Sequence, residues 1–479
     1  MVMTETLKKK LFINGKWQEA EKFTTLKSPY SGEVLAEIPS ASLEDVELAI
    51  ESAYQARKTM AALPSHKRAA ILEKLASLLE SRQDEAAEII AKEAAKPIKT
   101  AMVEVSRTIA TYKFAAEEAK RIHGETLTMD ATADGEGRIG YTVREPLGVV
   151  GAITPFNFPM NLVAHKVGPA IAAGNTLVLK PASQTPLSSL FLAELLAETD
   201  LPAGAFNLVT GSGSVIGDKL VTDSRVKSIS FTGSPAVGIG IRNKAGIKKV
   251  SLELGSNAAV IVDKGINIDK IIQRCVSAAF AFQGQVCISL QRAYVHEEVY
   301  DEFVKKFIEA TNGLKLGDSL DPSVDISALI SAGDVQRSLD WIGEARQHGA
   351  IVAAGGKSEG NILHPTVLLE VDAVLKVSCQ EVFAPIVLIN KVSSVEEAID
   401  LVNDSEFGLQ AGIYTENINL ALSAAEKLEV GGVIINDIPT YRVDNMPYGG
   451  VKKSGTGREG LKYAIEEMTE MKLVIINRN

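Results

Sequence analysis

Cys287 stands in Gln283-Gly-Gln-Val-Cys-Ile-Ser289, with a glycine and two glutamines just ahead of the thiol. A glycine-bearing turn can expose a side chain that a continuous helix would bury, and a thiolate is a strong nucleophile toward a carbonyl carbon. A lone cysteine is otherwise most often a small buried hydrophobe, and the segment alone leaves both readings open. Cys275 and Cys379 have no comparable setting and read as packing residues. Glu253, in Ser251-Leu-Glu-Leu-Gly-Ser-Asn257, falls near the end of an alternating strand among apolar neighbours. A carboxylate placed there has its pKa raised and can serve as a general base near neutral pH; a solvent-facing strand glutamate fits the same pattern. The third feature is Phe231-Thr-Gly-Ser-Pro-Ala-Val-Gly238, an apolar strand running into a turn of small residues. Backbone amides and a helix N-terminus can approach a phosphate there. It is not a GxGxxG, and Gly211-Ser-Gly-Ser-Val-Ile-Gly217 misses that pattern by one residue. Either can be an ordinary strand-to-helix turn.

The elements that must position these residues follow from periodicity. Ser42 and Asp45 form a capping box, after which Val46, Ala49, Ile50 and Ala53 recur at helical spacing. A second long helical stretch is expected from Ser65 to Ala95. From Val149 short apolar runs begin: Val149 to Ile153, Thr176 to Leu179, Phe206 to Val209, Ser228 to Phe231 and Ala258 to Val262. Helical segments such as Ser188 to Ala197 separate some of them, the signature of a parallel sheet with crossover helices. Beyond Ile266 the alternation resumes, with helices expected at Glu298 to Thr311, Gly333 to His348, Val395 to Val402 and Ile418 to Leu428. Strands are expected at Ile386 to Ile389 and Val433 to Asn436. Two α/β domains is the natural reading. Met471 to Ile476 reads as a terminal strand, either the edge of its own sheet or an addition to a neighbour's.

At 479 residues the chain exceeds one ordinary core, so two or three domains are expected. A net charge of −10 argues against nucleic-acid or anionic-membrane partners, which need a basic face. Three cysteines without a CxxC pair disfavour a disulfide framework or a structural zinc site, so no metal is expected. Met1 to Lys10 carries no apolar signal core, and no apolar run reaches the ~18 residues of a membrane span. A soluble, cytoplasmic protein is the expectation.

Taken together, these segments resemble the aldehyde dehydrogenase superfamily. The likeness runs from Phe12-Ile-Asn-Gly-Lys-Trp17 to Gly455-Thr-Gly-Arg-Glu459, through Thr154-Pro-Phe-Asn-Phe-Pro159 and Gly174-Asn-Thr-Leu-Val-Leu-Lys-Pro181. Leu201-Pro-Ala-Gly-Ala-Phe-Asn207, Glu253-Leu-Gly, Gly284-Gln-Val-Cys287, Glu381-Val-Phe-Ala-Pro385 and Pro447-Tyr-Gly-Gly-Val-Lys452 complete it in the family's order.

The resemblance implies a dinucleotide-binding α/β domain (1–126 and 144–257), a catalytic α/β domain (258–440) and a small β oligomerisation element (127–143 and 460–479). It implies an NAD(P)-dependent oxidation of an aldehyde to its acid through a thioester on Cys287, with Glu253 as base and Asn157 as oxyanion donor. The cofactor residues it implies are Thr154, Pro155, Phe156, Lys180, Ser183, Gly213, Gly233, Ser234, Gly238, Leu254, Glu381 and Phe383. Ser183 stands where NAD-preferring members commonly carry a glutamate, so NADP is expected to be accepted, either alongside NAD or in preference to it. Arg107, His165, Arg292 and Arg442 are the candidate substrate contacts, pointing to a small anionic or hydroxylated aldehyde. A general or lactaldehyde-type specificity, and a coenzyme-A-acylating enzyme, are the alternatives; Glu253 argues against the last. The resemblance also implies a homodimer or homotetramer, with a β-hairpin within Leu127 to Val143 and the C-terminal strand extending a partner's sheet.

Overall fold

The computed structural model describes residues 7–478; residues 1–6, part of the Met1 to Lys10 reading and of the first expected domain, and Asn479 lie outside them. Ser42 and Asp45 cap the helix Leu43–Ala62 reciprocally, side chain to backbone in both directions. The single stretch expected over Ser65 to Ala95 is two helices, Ser65–Ser81 and Gln83–Ala94, because Arg82 leaves helical geometry (φ −122°, ψ 29°). Composition rich in Ala, Leu, Glu and Lys suits both halves equally, so the break has no compositional mark. Ala95 then turns left-handed and Pro97 precedes the 22-residue helix Ile98–Ala119.

The first sheet has eight strands, in the order Lys16–Gln18, Leu11–Ile13, Phe206–Leu208, Thr176–Lys180, Val149–Ile153, Val226–Thr232, Lys249–Glu253, Gly455–Thr456. The five from Phe206–Leu208 to Lys249–Glu253 run parallel. From Val149–Ile153 the chain steps to one side through the helix Asn161–Ala173, and the later strands Val226–Thr232 and Lys249–Glu253 lie on the other. That reversal opens a crevice at the carboxyl ends of the strands, where open α/β sheets bind ligands. Thr154 to Asn157, Gly233 and Glu253 all fall at those ends.

The second sheet has seven strands, ordered Ile351–Ala354, Thr366–Leu369, Ile386–Val392, Arg292–His296, Ala259–Val262, Gln410–Tyr414, Gly432–Ile435. Only the Ile351–Ala354 pairing is antiparallel. Helices Ile268–Phe280 and Glu297–Asn312 cover it, with Phe280, Phe303 and Phe307 fully buried between layers. Burying each such ring contributes ~2 kcal/mol or more. A third, three-stranded sheet joins Thr126–Leu127, Arg138–Pro146 and Thr469–Asn477. The terminal strand pairs with Arg138–Pro146 of its own chain over nine residue pairs, Thr469 opposite Pro146 through Asn477 opposite Arg138. Its other side is a sheet edge, along which Met471, Leu473, Ile475 and Ile476 are exposed. Strand Arg138–Pro146 crosses the expected limit at 143/144, and Gly455–Thr456, which lies outside all three expected ranges, pairs with Lys249–Glu253 in the first sheet. No helix among the described residues is long and apolar enough to cross a membrane.

Candidate active site

The helix Ile268–Phe280 ends in a sharp turn in which Phe282, Gln283 and Gly284 are all left-handed (φ 49°, 55° and 69°). Such a conformation costs a side-chain-bearing residue ~1 kcal/mol or more, so the surroundings must hold it. They do: Gln283 Nε2 donates to the carbonyls of Ala95 and Ala328 (both 2.9 Å), and Ile330 N–H donates to Gln285 Oε1 (3.1 Å). At Gly284 a Cβ would lie 2.2 Å from the Ala384 carbonyl oxygen, so only glycine fits. The turn delivers Cys287 half-buried onto the wall of a cavity of about 230 Å3. Burial, then the nearby Glu381 and Glu253 carboxyls, push its thiol up to about 12. All three cysteines are free; Cys275 is buried as expected, whereas Cys379, expected to pack, is exposed at the end of a one-turn helix.

Asn157 lies on the same wall. Its Oδ1 accepts from Phe158 N–H (3.1 Å) and its Nδ2 donates to the Gln285 carbonyl (2.9 Å), which fixes the amide's orientation. One N–H remains for a second acceptor. Glu253 ends its strand with both carboxyl oxygens buried and without a hydrogen-bond partner. Burial and the Glu459 carboxylate push its pKa well up, which favours its protonated form. Glu459 behaves oppositely: burial raises it, but Lys166 and Arg442 outweigh that and hold it down to about 2. Lys166 Nζ donates to Thr232 Oγ1 (2.8 Å), Ser230 Oγ (3.1 Å) and Glu459 Oε1 (3.3 Å). Sequence reasoning gives Lys166 and Glu459 no role, because nothing in their spacing shows that they meet.

The four candidate substrate contacts separate. Arg107 and Arg442 line the cavity. Arg442 Nη2 donates to Glu459 Oε2 (2.9 Å), its guanidinium lies 3.7 Å from the centre of the Tyr448 ring, and its Nε has no partner. Arg107 grips Asp444 with both fork nitrogens (2.7 and 3.2 Å). His165 stands behind this wall: its Nε2 is 2.9 Å from Asp444 Oδ1 and 3.2 Å from Arg442 Nη2. Burial and the Arg442 charge lower its pKa, so it is a neutral ring that donates to Asp444. Arg292 is the clear departure from expectation. It is 4% exposed in a central strand, away from the cavity lining. Its donors go to the carbonyls of Asn257 (2.9 Å), Leu401 (3.1 Å) and Val402 (3.4 Å), and to Asn257 Oδ1 and Tyr294 Oη. Five residues past Cys287 the chain has already left the loop and entered the sheet, so the guanidinium closes a helix C-terminus.

The residues expected at a dinucleotide fit that group. Ser234 precedes the helix Pro235–Lys244 without a side-chain cap and Pro235 occupies its first turn, so the first-turn amides have no side chain of their own as acceptor. Gly233 N–H, however, donates to the Glu253 carbonyl (3.0 Å), so that amide is taken. Gly238 makes room for Leu254, which a Cβ would meet at 2.5 Å. Lys180 is buried with only the Pro181 carbonyl as partner (2.9 Å), and burial lowers its pKa to about 8. Gly213, in a short π-helical turn, passes 4.0 Å (Cβ position) from the Lys180 chain. Thr154 Oγ1 is buried and unpartnered, and the Phe156 and Phe383 rings meet edge-on at 5.8 Å, with Pro155 preceding the first of them. Glu381 accepts from Ser256 N–H (3.0 Å), and burial raises it to about 7. Ser183 donates to the Gly211 carbonyl (3.1 Å) on the rim of a second cavity, of about 530 Å3. Among the described residues no cluster suited to a metal ion occurs.

The family model for the aldehyde dehydrogenase family matches residues 17–474. A 3-sulfolactaldehyde dehydrogenase of Priestia megaterium is 47% identical over 476 residues, covering 99% of each chain. The structure of aldehyde dehydrogenase 21 from Physcomitrella patens, in complex with the reaction product succinate, superposes with a TM-score of 0.97 at 41% identity, covering 99% of both. That of a glyceraldehyde-3-phosphate dehydrogenase from Methanocaldococcus jannaschii, complexed with NADP, gives 0.92 at 42% identity, covering 95% of this chain and 100% of that one. Matched over nearly its whole length in sequence and in fold, the chain belongs to the aldehyde dehydrogenase family and is an NAD(P)-dependent oxidoreductase.

Proposed function

We propose that the protein oxidises a small anionic or hydroxylated aldehyde to its carboxylic acid, with Cys287 as nucleophile, Glu253 as base and Asn157 as oxyanion donor. One observation carries the reading: the thiol, the unpartnered carboxyl, the amide and two guanidinium groups line one cavity of only about 230 Å3. The Cys287 thiol gives up its proton to solvent water as its sulfur bonds to the aldehyde carbon, and the carbonyl π pair moves onto the oxygen, where negative charge develops. The spare N–H of Asn157 and the backbone N–H of Cys287 are the donors for it, and one such donor is worth ~3 kcal/mol. Thr154, Lys180, Ser234 and Glu381 would hold NAD(P), which would supply the hydride acceptor, so that loss of hydride from that carbon would leave a thioester on Cys287. Ionised Glu253 then takes a proton from water as the water oxygen bonds to the thioester carbon, and returns it to the Cys287 sulfur as the C–S bond breaks and the acid is released.

Arg442 suits an anionic end group on the substrate, because its Nε has no partner and a guanidinium matches carboxylate, sulfonate or phosphate, while Arg107, whose fork holds Asp444, adds a second positive charge to the same wall. The named relatives act on or hold anionic species of these three kinds, which supports the same class here. The test is initial-rate reduction of NADP and NAD over a panel containing sulfolactaldehyde, succinate semialdehyde, glyceraldehyde 3-phosphate, lactaldehyde and an uncharged medium-chain aldehyde. Anionic substrates are expected to give the highest kcat/KM, and Arg442→Met to raise KM for them ~10–100-fold, the loss of a charge-assisted hydrogen bond. Arg292→Met, as a control, lowers the melting temperature and leaves KM in place. Preference for the uncharged aldehyde overturns the substrate class.

Acceptance of NADP is proposed from the cavity beside Ser183. It is lined by Ser40, Ser212 and Thr24 hydroxyls and by Lys22, with no carboxylate. Ser183→Glu is expected to raise KM for NADP about tenfold or more while sparing NAD, since a carboxylate repels a 2′-phosphate; equal effects on both cofactors would remove this assignment. The three-unit division, with the exposed apolar edge Met471 to Ile476 covered in a homodimer or homotetramer, belongs to the same proposal. So does a cytoplasmic location, which the three free cysteines support.

A further inference from the structure

Lys96 lies outside every motif that the sequence offered, between the helices Gln83–Ala94 and Ile98–Ala119, and is wholly buried. Its ammonium donates to the Glu104 carboxylate and to the Asn157 carbonyl (2.6 Å). It also lies over two rings that meet edge-on, 3.8 Å from the centre of Phe158 and 4.1 Å from that of Phe282. Phe158 follows Asn157, and Phe282 opens the left-handed turn that carries Cys287. One ammonium therefore touches both segments whose relative placement sets the amide against the thiol. The preceding residue reinforces the link: Ala95, itself left-handed, gives its carbonyl to Gln283 Nε2 (2.9 Å). Glu104 ties the same pair to the next helix, accepting from Met160 N–H (2.9 Å) and Asn161 N–H (3.1 Å).

A buried ion pair is weak evidence for a stabilising role, because an apolar pair of similar volume is often as stable. Stability alone therefore gives no reason for a cation at this place. We propose that Lys96 is a positioning residue, which fixes the Asn157 amide relative to the Cys287 turn so that both donors meet the developing oxyanion. The inference rests on Asn157 being the oxyanion donor.

The test is a double-mutant cycle read as kcat and KM separately. Lys96→Met removes the charge together with the terminal nitrogen and keeps the rest of the unbranched chain. The paired variant K96M/E104Q also removes the lone carboxylate that Lys96→Met would strand, while the amide oxygen introduced by E104Q still accepts from the Met160 and Asn161 N–H groups. Both are expected to lower kcat ~10–100-fold with KM little changed, the effect of a displaced reacting group. In the Asn157→Ala background, K96M/E104Q should cost no further kcat, because the amide it positions is gone. The same fold-loss in both backgrounds, or failure of K96M/E104Q to fold, assigns Lys96 a general structural role and overturns the proposal. An impaired Asn157→Ala beside an unimpaired K96M/E104Q overturns positioning alone. Asn157→Ala with wild-type kcat overturns the oxyanion reading and this one with it.

Discussion

Cys287→Ala is expected to lower aldehyde oxidation by ~10⁴-fold or more, the scale seen when a nucleophile is removed from a unit that acts together. Neither remaining thiol can take over. Cys275 is fully buried in a helix and pushed up to about 12 by burial, and Cys379 is exposed outside the cavity lining. The decisive measurement pairs nicotinamide absorbance with intact-protein mass: wild type mixed with substrate and cofactor should show the acyl adduct, and the variant none. The pH behaviour of the thiol has a definite sign. Because burial and the Glu381 and Glu253 carboxyls push it up to about 12, it is protonated throughout the neutral range. Its alkylation by iodoacetamide should therefore climb with pH up to the alkaline limit of stability and show no plateau near neutrality. Unimpaired oxidation by Cys287→Ala or Cys287→Ser would rule out the covalent route.

Glu253→Gln should separate the two halves of the reaction. Thioester formation leaves about one equivalent of reduced cofactor per site, and the steady rate that follows should fall ~10³-fold, the typical worth of a positioned base. A steady rate equal to wild type would remove Glu253 from hydrolysis. Burial and Glu459 raise the Glu253 pKa well above its ordinary 4.5, so the carboxyl becomes a base only as pH rises. The wild-type steady rate should accordingly increase with pH, and Glu253→Gln should lose that limb. Stability runs the other way. Above about pH 4.5 the unfolded chain releases this proton and the folded one keeps it, so stability declines as pH rises toward the folded value. Glu253→Gln should therefore lose less melting temperature than wild type between mildly acidic and alkaline pH.

Local structure was largely legible in the sequence. The strand Val149–Ile153 has the limits of its apolar run, and the capping box at Ser42 starts a helix as its spacing required. Both depend on neighbours in sequence, through period-two or period-3.6 burial and side chain to backbone bonds. The break at Arg82 was not legible, since the composition on either side is alike. Cys287, Glu253 and Asn157, the residues proposed for the chemistry, could be singled out because their motifs are contiguous and stand in a recognisable order.

The family, the alternation of strands and helices, and the residues with reactive groups were thus all written in the order of the residues. Which charges face the cavity and which hold the frame became visible only once the chain was packed. Arg292, Arg107 and Arg442 are indistinguishable as letters, yet one closes a helix C-terminus and two line the site. The Lys96 and Glu459 contacts join positions 61 and 293 residues apart, Lys96 with Asn157 and Glu459 with Lys166. A charge takes its role from the partners and the dielectric around it, and those are set by chain crossings that no local spacing records.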